Sequence, residues 1–167
     1  MKKIEATVLY SLRQMLDTMQ WLGDKSEKKI RKKLEVGKKK VRDVSDEIVA
    51  LKQEKIRQYT RYADNLITKE AYIKIKQELA DRIEELQAEK KAEETKVLSQ
   101  DEQREKAVEM TNLSEKYAGE EKLTREMVKA FIDCVYVYDP ERIEIIFLFE
   151  DSIKELMAVI QEEQITK

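Results

Sequence analysis

The stretch that decides the fold runs from Lys28 to Leu86: KKIRKKLEVGKKKVRDVSDEIVALKQEKIRQYTRYADNLITKEAYIKIKQELADRIEEL. Its first half places Ile30, Leu34, Val41, Val44, Ile48 and Leu51 at spacings of 4, 7, 3, 4 and 3, the rhythm of a heptad seam. Gly37 occupies the seam position that is skipped, and a glycine inside a helix costs about 1 kcal/mol relative to alanine, so a bend is expected there. The seam continues through Ile56, Tyr59 and Tyr62 and breaks at Asp64-Asn65-Leu66-Ile67-Thr68. Thr68 has the chemistry of an N-cap, with Glu70 in the favourable first turn. A second run, Tyr72, Ile75, Leu79, Ile83, Leu86, Ala92 and Val97, repeats the 3–4 spacing. Two such runs joined by a short polar turn bury both seams most economically by folding back on each other. Residues 24–118 therefore read as an antiparallel coiled-coil arm with its tip near 62–68.

Outward from the arm, both ends of the chain turn apolar. Ile4, Val8, Leu9, Leu12, Met15, Leu16 and Met19 keep to one helical face, and Gly23-Asp24 reads as a break that closes a base helix over residues 1–23. Trp21 is expected to fill the base. Residues 99–119 are highly charged, with Val108, Leu113 and Tyr117 as sparse anchors, and suit a returning helix or a loose connection. Thr124 is an N-cap for a helix bearing Met127, Val128, Phe131 and Ile132, and Leu123 can staple onto Val128. After Cys134 the period becomes two: Val135 to Tyr138 is a strand, Asp139-Pro140-Glu141-Arg142 a turn, and Ile143 to Phe149 a second strand. Ile143, Ile145, Phe147 and Phe149 would share one face. A lone β-hairpin is marginal in water, so it must pack on the first helix and on a final one carrying Ile153, Leu156, Met157 and Ile160. The expected fold is mostly α: a long antiparallel coiled-coil hairpin projecting from a small α+β base, residues 119–167 supplying a helix, the β-hairpin at 135–149 and the last helix.

Composition narrows the function. Of 167 residues, 41% are charged, with Gly 3, Pro 1, Cys 1 and His 0. So few chain breakers exclude a turn-rich sandwich or barrel, and charge combined with helical periodicity suits solvated helices and coiled coils. The absence of histidine removes the Ser-His-Asp triad, the Cys-His pair and imidazole metal ligands. Gly23, Gly37 and Gly119 stand too far apart for a phosphate-cradling loop. Cys134 alone makes neither an internal disulfide nor a multi-thiolate zinc site, and reads as a buried structural thiol. No cofactor is expected, and the functions left are binding and assembly. With neither a signal-peptide core nor a membrane-length apolar run, the expectation is a soluble intracellular protein.

Charge is unevenly placed. Residues 1–62 hold 17 Lys+Arg against 9 Asp+Glu, a net of +8, leaving 16 against 26, a net of −10, for residues 63–167. The excess concentrates at Lys28, Lys29, Arg31, Lys32, Lys33, Lys38, Lys39, Lys40 and Arg42. Two readings stand: a patch tracking DNA phosphates with salt-sensitive affinity, or a solvated helix face paired with acidic neighbours. The hairpin aromatics Tyr136, Tyr138, Phe147 and Phe149 could stack bases, but cross-strand pairing over helices is the commoner arrangement. At the arm tip, Tyr59, Tyr62 and Tyr72 cluster beside a turn that carries Leu66 and Ile67. Turns are normally polar, and an apolar apex buries little without a partner. Tyrosine, with large contact area and a polar end, is enriched at binding hot spots. The plainer alternative is that these side chains only close the end of the hairpin.

The tip stretch Tyr62-Ala-Asp-Asn-Leu-Ile-Thr-Lys-Glu-Ala-Tyr72, and Leu123-Thr-Arg-Glu-Met-Val-Lys-Ala-Phe-Ile-Asp-Cys-Val135 followed by a β-hairpin and a last helix, resemble the C-terminal region of the large serine recombinases, the phage integrases and transposon resolvases. The Ile4–Leu16 helix resembles the one that follows that family's zinc ribbon. The chain has no nucleophilic-serine domain and no cysteine cluster. The resemblance therefore implies a non-catalytic part of a site-specific recombinase of a mobile element, whose parent protein cuts DNA in the cytoplasm. A zinc ion would belong only to the parent. The resemblance also implies that the arm tip, at Tyr59, Tyr62, Leu66, Ile67 and Tyr72, contacts other recombinase subunits and so controls synapsis and the direction of recombination. DNA would be reached through the parent, and a directionality factor is a further candidate partner. Two readings without the family remain: a stand-alone coiled-coil scaffold, and a helical nucleic-acid binder using the basic stretch.

Overall fold

The computed structural model describes residues 2–139 and 142–162. Pro140 and Glu141 of the expected turn lie outside the described residues. Four helices and two strands follow in order: α1 (Lys2–Ala63), α2 (Lys69–Tyr117), α3 (Arg125–Phe131), β1 (Ile132–Asp139), β2 (Arg142–Phe147) and α4 (Glu150–Gln161). The architecture is mostly α, with a helical hairpin and one small β-hairpin, as the periodicity indicates. The chain divides into two compact units, Lys33–Gln100 and the combination of Met1–Lys32 with Asp101–Lys167.

The hairpin unit holds a seam. On α1, Leu34, Val44 and Ile48 are buried, and Leu86 of α2 packs against Val44 and Ile48 with Leu51 and Ile83 alongside. The helices run antiparallel: Lys40 pairs with Glu89 at 3.1 Å and Glu93 at 3.6 Å, while further along α1 Glu47 meets Arg82, earlier on α2, at 3.1 Å. At Gly37 an added Cβ would stand 2.8 Å from a methyl of Val97, so the glycine permits close approach of α2. Two seam expectations change. Beyond Leu51 the 4-3-4 step runs through Lys55, Gln58 and Tyr62, so Gln58 is buried and Ile56, one residue out of phase, faces solvent. On α2 the seam passes through Lys90 and Glu93, leaving Ala92 exposed.

The other unit has the denser core. Val8, Leu12, Met15, Leu16, Met19, Leu22 and Ile30 of α1 are buried, as are Ala107 and Met110 of α2, Met127 and Phe131 of α3, and Leu156 and Val159 of α4. Gly23-Asp24 is not a break, because α1 runs straight through it. A Cβ on Gly23 would collide with Thr111 Oγ1 and stand 2.9 Å from the Ala107 carbonyl oxygen, so the missing side chain is what lets α2 lie against α1. Three residues on, Ser26 is buried and donates its hydroxyl to the Leu22 carbonyl at 2.5 Å, a polar residue at a core position that conceals helix continuity from a hydrophobicity reading. Residues 99–117 are helix, buried at Ala107, Met110 and Ser114; of the expected anchors Leu113 and Tyr117 are half-buried and Val108 is 36% exposed.

Thr124 caps α3, its hydroxyl accepting from the Met127 amide at 3.2 Å. Phe131 then anchors the sheet: Tyr117 meets it edge-on at 5.4 Å, Phe149 lies 6.1 Å away, and its carbonyl accepts from the Leu148 amide at 2.9 Å. β1 and β2 are antiparallel, with Val135 opposite Ile145 and Val137 opposite Ile143. The first strand begins at Ile132, earlier than the alternation alone indicates. The second ends at Phe147, so Phe149 leaves the strand face and becomes the N-cap position of α4. The aromatics do not pair across the sheet: Tyr136 faces Glu144, and stacks instead along its own strand with Tyr138 at 6.4 Å. Cys134 is half-buried. It holds the Tyr136 phenol above its ordinary pKa through a side-chain hydrogen bond, with charge and burial adding to the effect.

Candidate functional site

The end of the helical hairpin is built by two capping devices. At the α1 terminus the Leu66 amide donates to the Arg61 carbonyl at 2.9 Å and the Asn65 amide to the Tyr62 carbonyl at 3.0 Å. This is the Schellman pattern, and Asn65 takes the left-handed backbone it requires, with φ 56°. Two residues later Thr68 caps α2, its hydroxyl accepting from the Ala71 amide at 3.2 Å. The turn is thereby fixed at both ends.

Those caps determine what the side chains do. Tyr62 and Tyr72 stack with ring centroids 4.9 Å apart and planes at 9°, and both are half-buried, so this pair closes the hairpin end. Ile67 is likewise half-buried. Tyr59 meets the edge of Tyr72 at 6.1 Å yet stays exposed. Leu66 is 67% exposed. In a Schellman motif the residue at its position normally closes on an apolar residue near the last helical turn. Here that place is held by Arg61, with Thr60 before it, so Leu66 has no apolar partner there. Sequence reasoning missed Ile56, 68% exposed, and Ile73, 54% exposed. The signal for both was available, since each sits one residue off its helix's seam. Of the five residues expected at the tip, Tyr62 and Tyr72 stack on each other and Ile67 is half-buried. Tyr59 and Leu66, joined by Ile56 and Ile73, make the exposed apolar surface.

The nine basic residues separate in role. Lys40 is spent on Glu89 and Glu93, and its hydrogen bond with Glu89 chiefly raises its pKa. Lys29 donates to the Ile160 carbonyl at 3.1 Å, and Lys33 is half-buried with a partner of its own. Lys28, Arg31, Lys32, Lys38, Lys39 and Arg42 are exposed. Trp21, expected inside the base, is 49% exposed, with the Lys25 ammonium 4.5 Å from its ring centre. The physical reason is phase: Met19 and Leu22 take the buried positions on either side of it.

Among the described residues, no group of three or more Cys, Asp or Glu side chains is placed to hold a metal ion, and no helix is long and apolar enough to cross a membrane. An open groove of about 450 Å³ along α2 brings Arg104, Glu105, Glu109 and Lys116 together with Val108, Asn112 and Leu113. Comparison of the chain with protein-family models, curated proteins and solved structures finds no match.

Proposed function

We propose that this chain is the non-catalytic coiled-coil region of a large serine recombinase, and that its hairpin tip contacts other recombinase subunits to control synapsis and the direction of DNA recombination. The observation that carries the reading is the unpartnered Leu66 at the apex, flanked by exposed Ile56, Tyr59 and Ile73. Apolar surface on both helices at one hairpin end is what a protein–protein contact needs, and tyrosine beside aliphatic residues is common where such contacts concentrate their energy. The family is supported by the Tyr62–Tyr72 and Leu123–Val135 stretches and by the helix, β-hairpin, helix order after the arm. The chain itself cuts no DNA and needs no cofactor. Its parent supplies the nucleophilic serine and a zinc-bound module, and acts in the cytoplasm on the DNA of a mobile element.

Sedimentation velocity over a wide concentration range tests the tip. The wild-type chain is expected to form concentration-dependent dimers that Leu66→Asp abolishes, with helical circular dichroism unchanged because Leu66 supports nothing in the fold. A species indifferent to Leu66→Asp and to Ile73→Asp, or a monomer at every concentration up to millimolar, refutes the reading.

A further inference from the structure

In the unit that contains residues 101–167, the β-hairpin keeps an open edge. Among the described residues the sheet has two strands, so the outer side of each meets no further strand. The two sides differ. On β2, Ile143, Ile145, Ile146 and Phe147 are half-buried, whereas on β1 four residues in succession, Tyr136 to Asp139, are exposed. Successive residues of a strand point to opposite faces, so exposure of all four means that this part of β1 stands clear on both. Edge strands are commonly blunted by Lys or Pro, by bulges or by a covering element. Ile132–Asp139 contains no Lys, Arg or Pro, and its charges, Asp133 and Asp139, stand near its ends. Its two register shifts also fall near the ends, leaving Asp133 and Tyr138 without a partner residue on β2. Between them Cys134 to Val137 pair residue for residue with Ile146 to Ile143. That run, Cys-Val-Tyr-Val, is uncharged, regular and rich in residues that favour strands.

Charge selects what can pair there. From Ile132 to Asp151 the chain has six carboxylates and one basic residue, Arg142, a net of −5. Arg142 is already engaged, 4.9 Å from the Tyr138 ring centre. A second copy of β1 would double the negative charge, and a two-fold pairing centred on Tyr136 would set Asp133 against Asp139 twice. Nucleic acid and anionic lipid are repelled likewise. A cationic strand is attracted, and Asp133, exposed and in no salt bridge among the described residues, stands at the edge to meet it. Residues directly opposite in a sheet share a face. A Lys or Arg opposite Tyr136 therefore falls on the face that carries Glu144 and can lie over the phenol ring. A β-branched residue opposite Val135 or Val137 extends the aliphatic face formed with Ile145 and Ile143.

We infer that β1 accepts an added strand from another protein, an extended segment in which Lys or Arg alternates with β-branched residues. Main-chain hydrogen bonds along the open edge hold the segment, and its alternation selects it. Where this chain carries such a pattern itself, as in Ile73–Lys76, the residues are held in α2, so the strand comes from elsewhere. The inference concerns a different unit from the hairpin tip and needs no self-association.

The probe is a fluorescein-labelled heptapeptide of alternating lysine and valine, titrated with the whole chain and read by anisotropy. It should bind, and the same peptide with glutamate in place of lysine should not. Amide N–H groups of alternate residues point to the same side of a strand. Methylating either the lysine amides or the valine amides should therefore give one peptide that loses about tenfold or more in affinity and one that binds as the parent does. Asp133→Lys turns an attraction into a repulsion and should weaken binding roughly fivefold. Leu66→Asp should leave all of this unaltered, which separates failure of the edge from failure of the tip. Two methylated peptides that bind equally overturn the inference, because charge alone then accounts for binding. So does binding of the glutamate peptide, wild-type affinity in the Asp133→Lys chain, or no binding at chain concentrations up to millimolar.

Discussion

Replacing Gly23 by alanine opposes two effects of known sign. In a helix interior the change is favourable by about 1 kcal/mol, because alanine restricts the unfolded chain and shields the backbone. Against it stands the new methyl, which would meet Thr111 Oγ1 and lie 2.9 Å from the Ala107 carbonyl oxygen and 3.3 Å from the Thr111 amide nitrogen. Thr111 can rotate its hydroxyl aside. The other two atoms are backbone of α2 and can retreat only if the helix moves, which would unseat buried Ala107, Met110 and Ser114. Overpacking of this kind costs typically 1–3 kcal/mol, and since backbone must shift the upper part of that range applies, for a net loss of about 1–2 kcal/mol. Gly37→Ala meets only a methyl of Val97 at 2.8 Å, a side-chain atom, so its loss should be smaller. Gly119→Ala meets nothing within 4 Å, and φ is not positive there, so it should be neutral or stabilising by up to about 1 kcal/mol. Urea unfolding followed by far-ultraviolet circular dichroism ranks the three, with Trp21 fluorescence as a reporter for residues 1–32. A Gly23→Ala chain as stable as wild type, or more stable, would refute the close approach of α1 and α2 at that level.

Leu86→Ala should destabilise the hairpin unit by about 2–5 kcal/mol, because Leu86 is fully enclosed by Val44, Ile48, Leu51 and Ile83 in a seam with little else to collapse into the cavity; a urea midpoint unchanged from wild type would contradict this. On the sheet, the Tyr138 hydroxyl donates to Glu144 at 2.9 Å, and that bond, followed by the carboxylate charge and burial, raises the phenol above its usual value of about 10. A raised folded pKa means that the contact's stabilisation is complete below the unfolded value and disappears as pH rises through the folded one. Glu144→Gln should accordingly shift part of the tyrosinate absorbance titration to lower pH, and coincident curves would refute the pairing.

The sequence made the helices legible where apolar residues mark the phase, and misled where a seam position is filled by something else. Ile30, Leu34, Val44, Ile48 and Leu86 are buried where their spacing puts them. Gly23 was read as punctuation because glycine usually breaks helices, yet its use here is steric, and that use depends on Ala107 and Thr111 more than eighty residues away, which no local pattern encodes. Ser26 and Gln58 are buried polar residues that satisfy themselves within their own helix, Ser26 on the Leu22 carbonyl and Gln58 on Glu54 at 2.5 Å. Each makes an apolar run look interrupted. Trp21 failed in the opposite direction: hydrophobicity alone places indole inside, while the phase set by Met19 and Leu22 places it outside. Phase is therefore the better guide wherever the two disagree, and Trp21, Ile56 and Ile73 all obey it.

That rule also divides the tip. Before the geometry is considered, one aromatic and aliphatic cluster serves equally well as a hairpin closure or as an interface, and both readings claim the same five residues. The Tyr62–Tyr72 stack removes that equivalence, because a pair 4.9 Å apart with nearly parallel rings already closes the end. Asn65 in the left-handed region and Thr68 at the cap complete the turn with backbone hydrogen bonds and the Thr68 hydroxyl. Closure thus leaves Leu66 without a structural task, and Ile56 and Ile73 stand outside both seams. An exposed leucine at an apex is unremarkable by itself. Exposed Ile56 near the end of α1, Leu66 in the turn and Ile73 near the start of α2, beside a tyrosine already in ring contact with Tyr72, form a surface of limited flexibility. Such a surface loses little conformational entropy when a partner covers it, which is what the proposed interface requires.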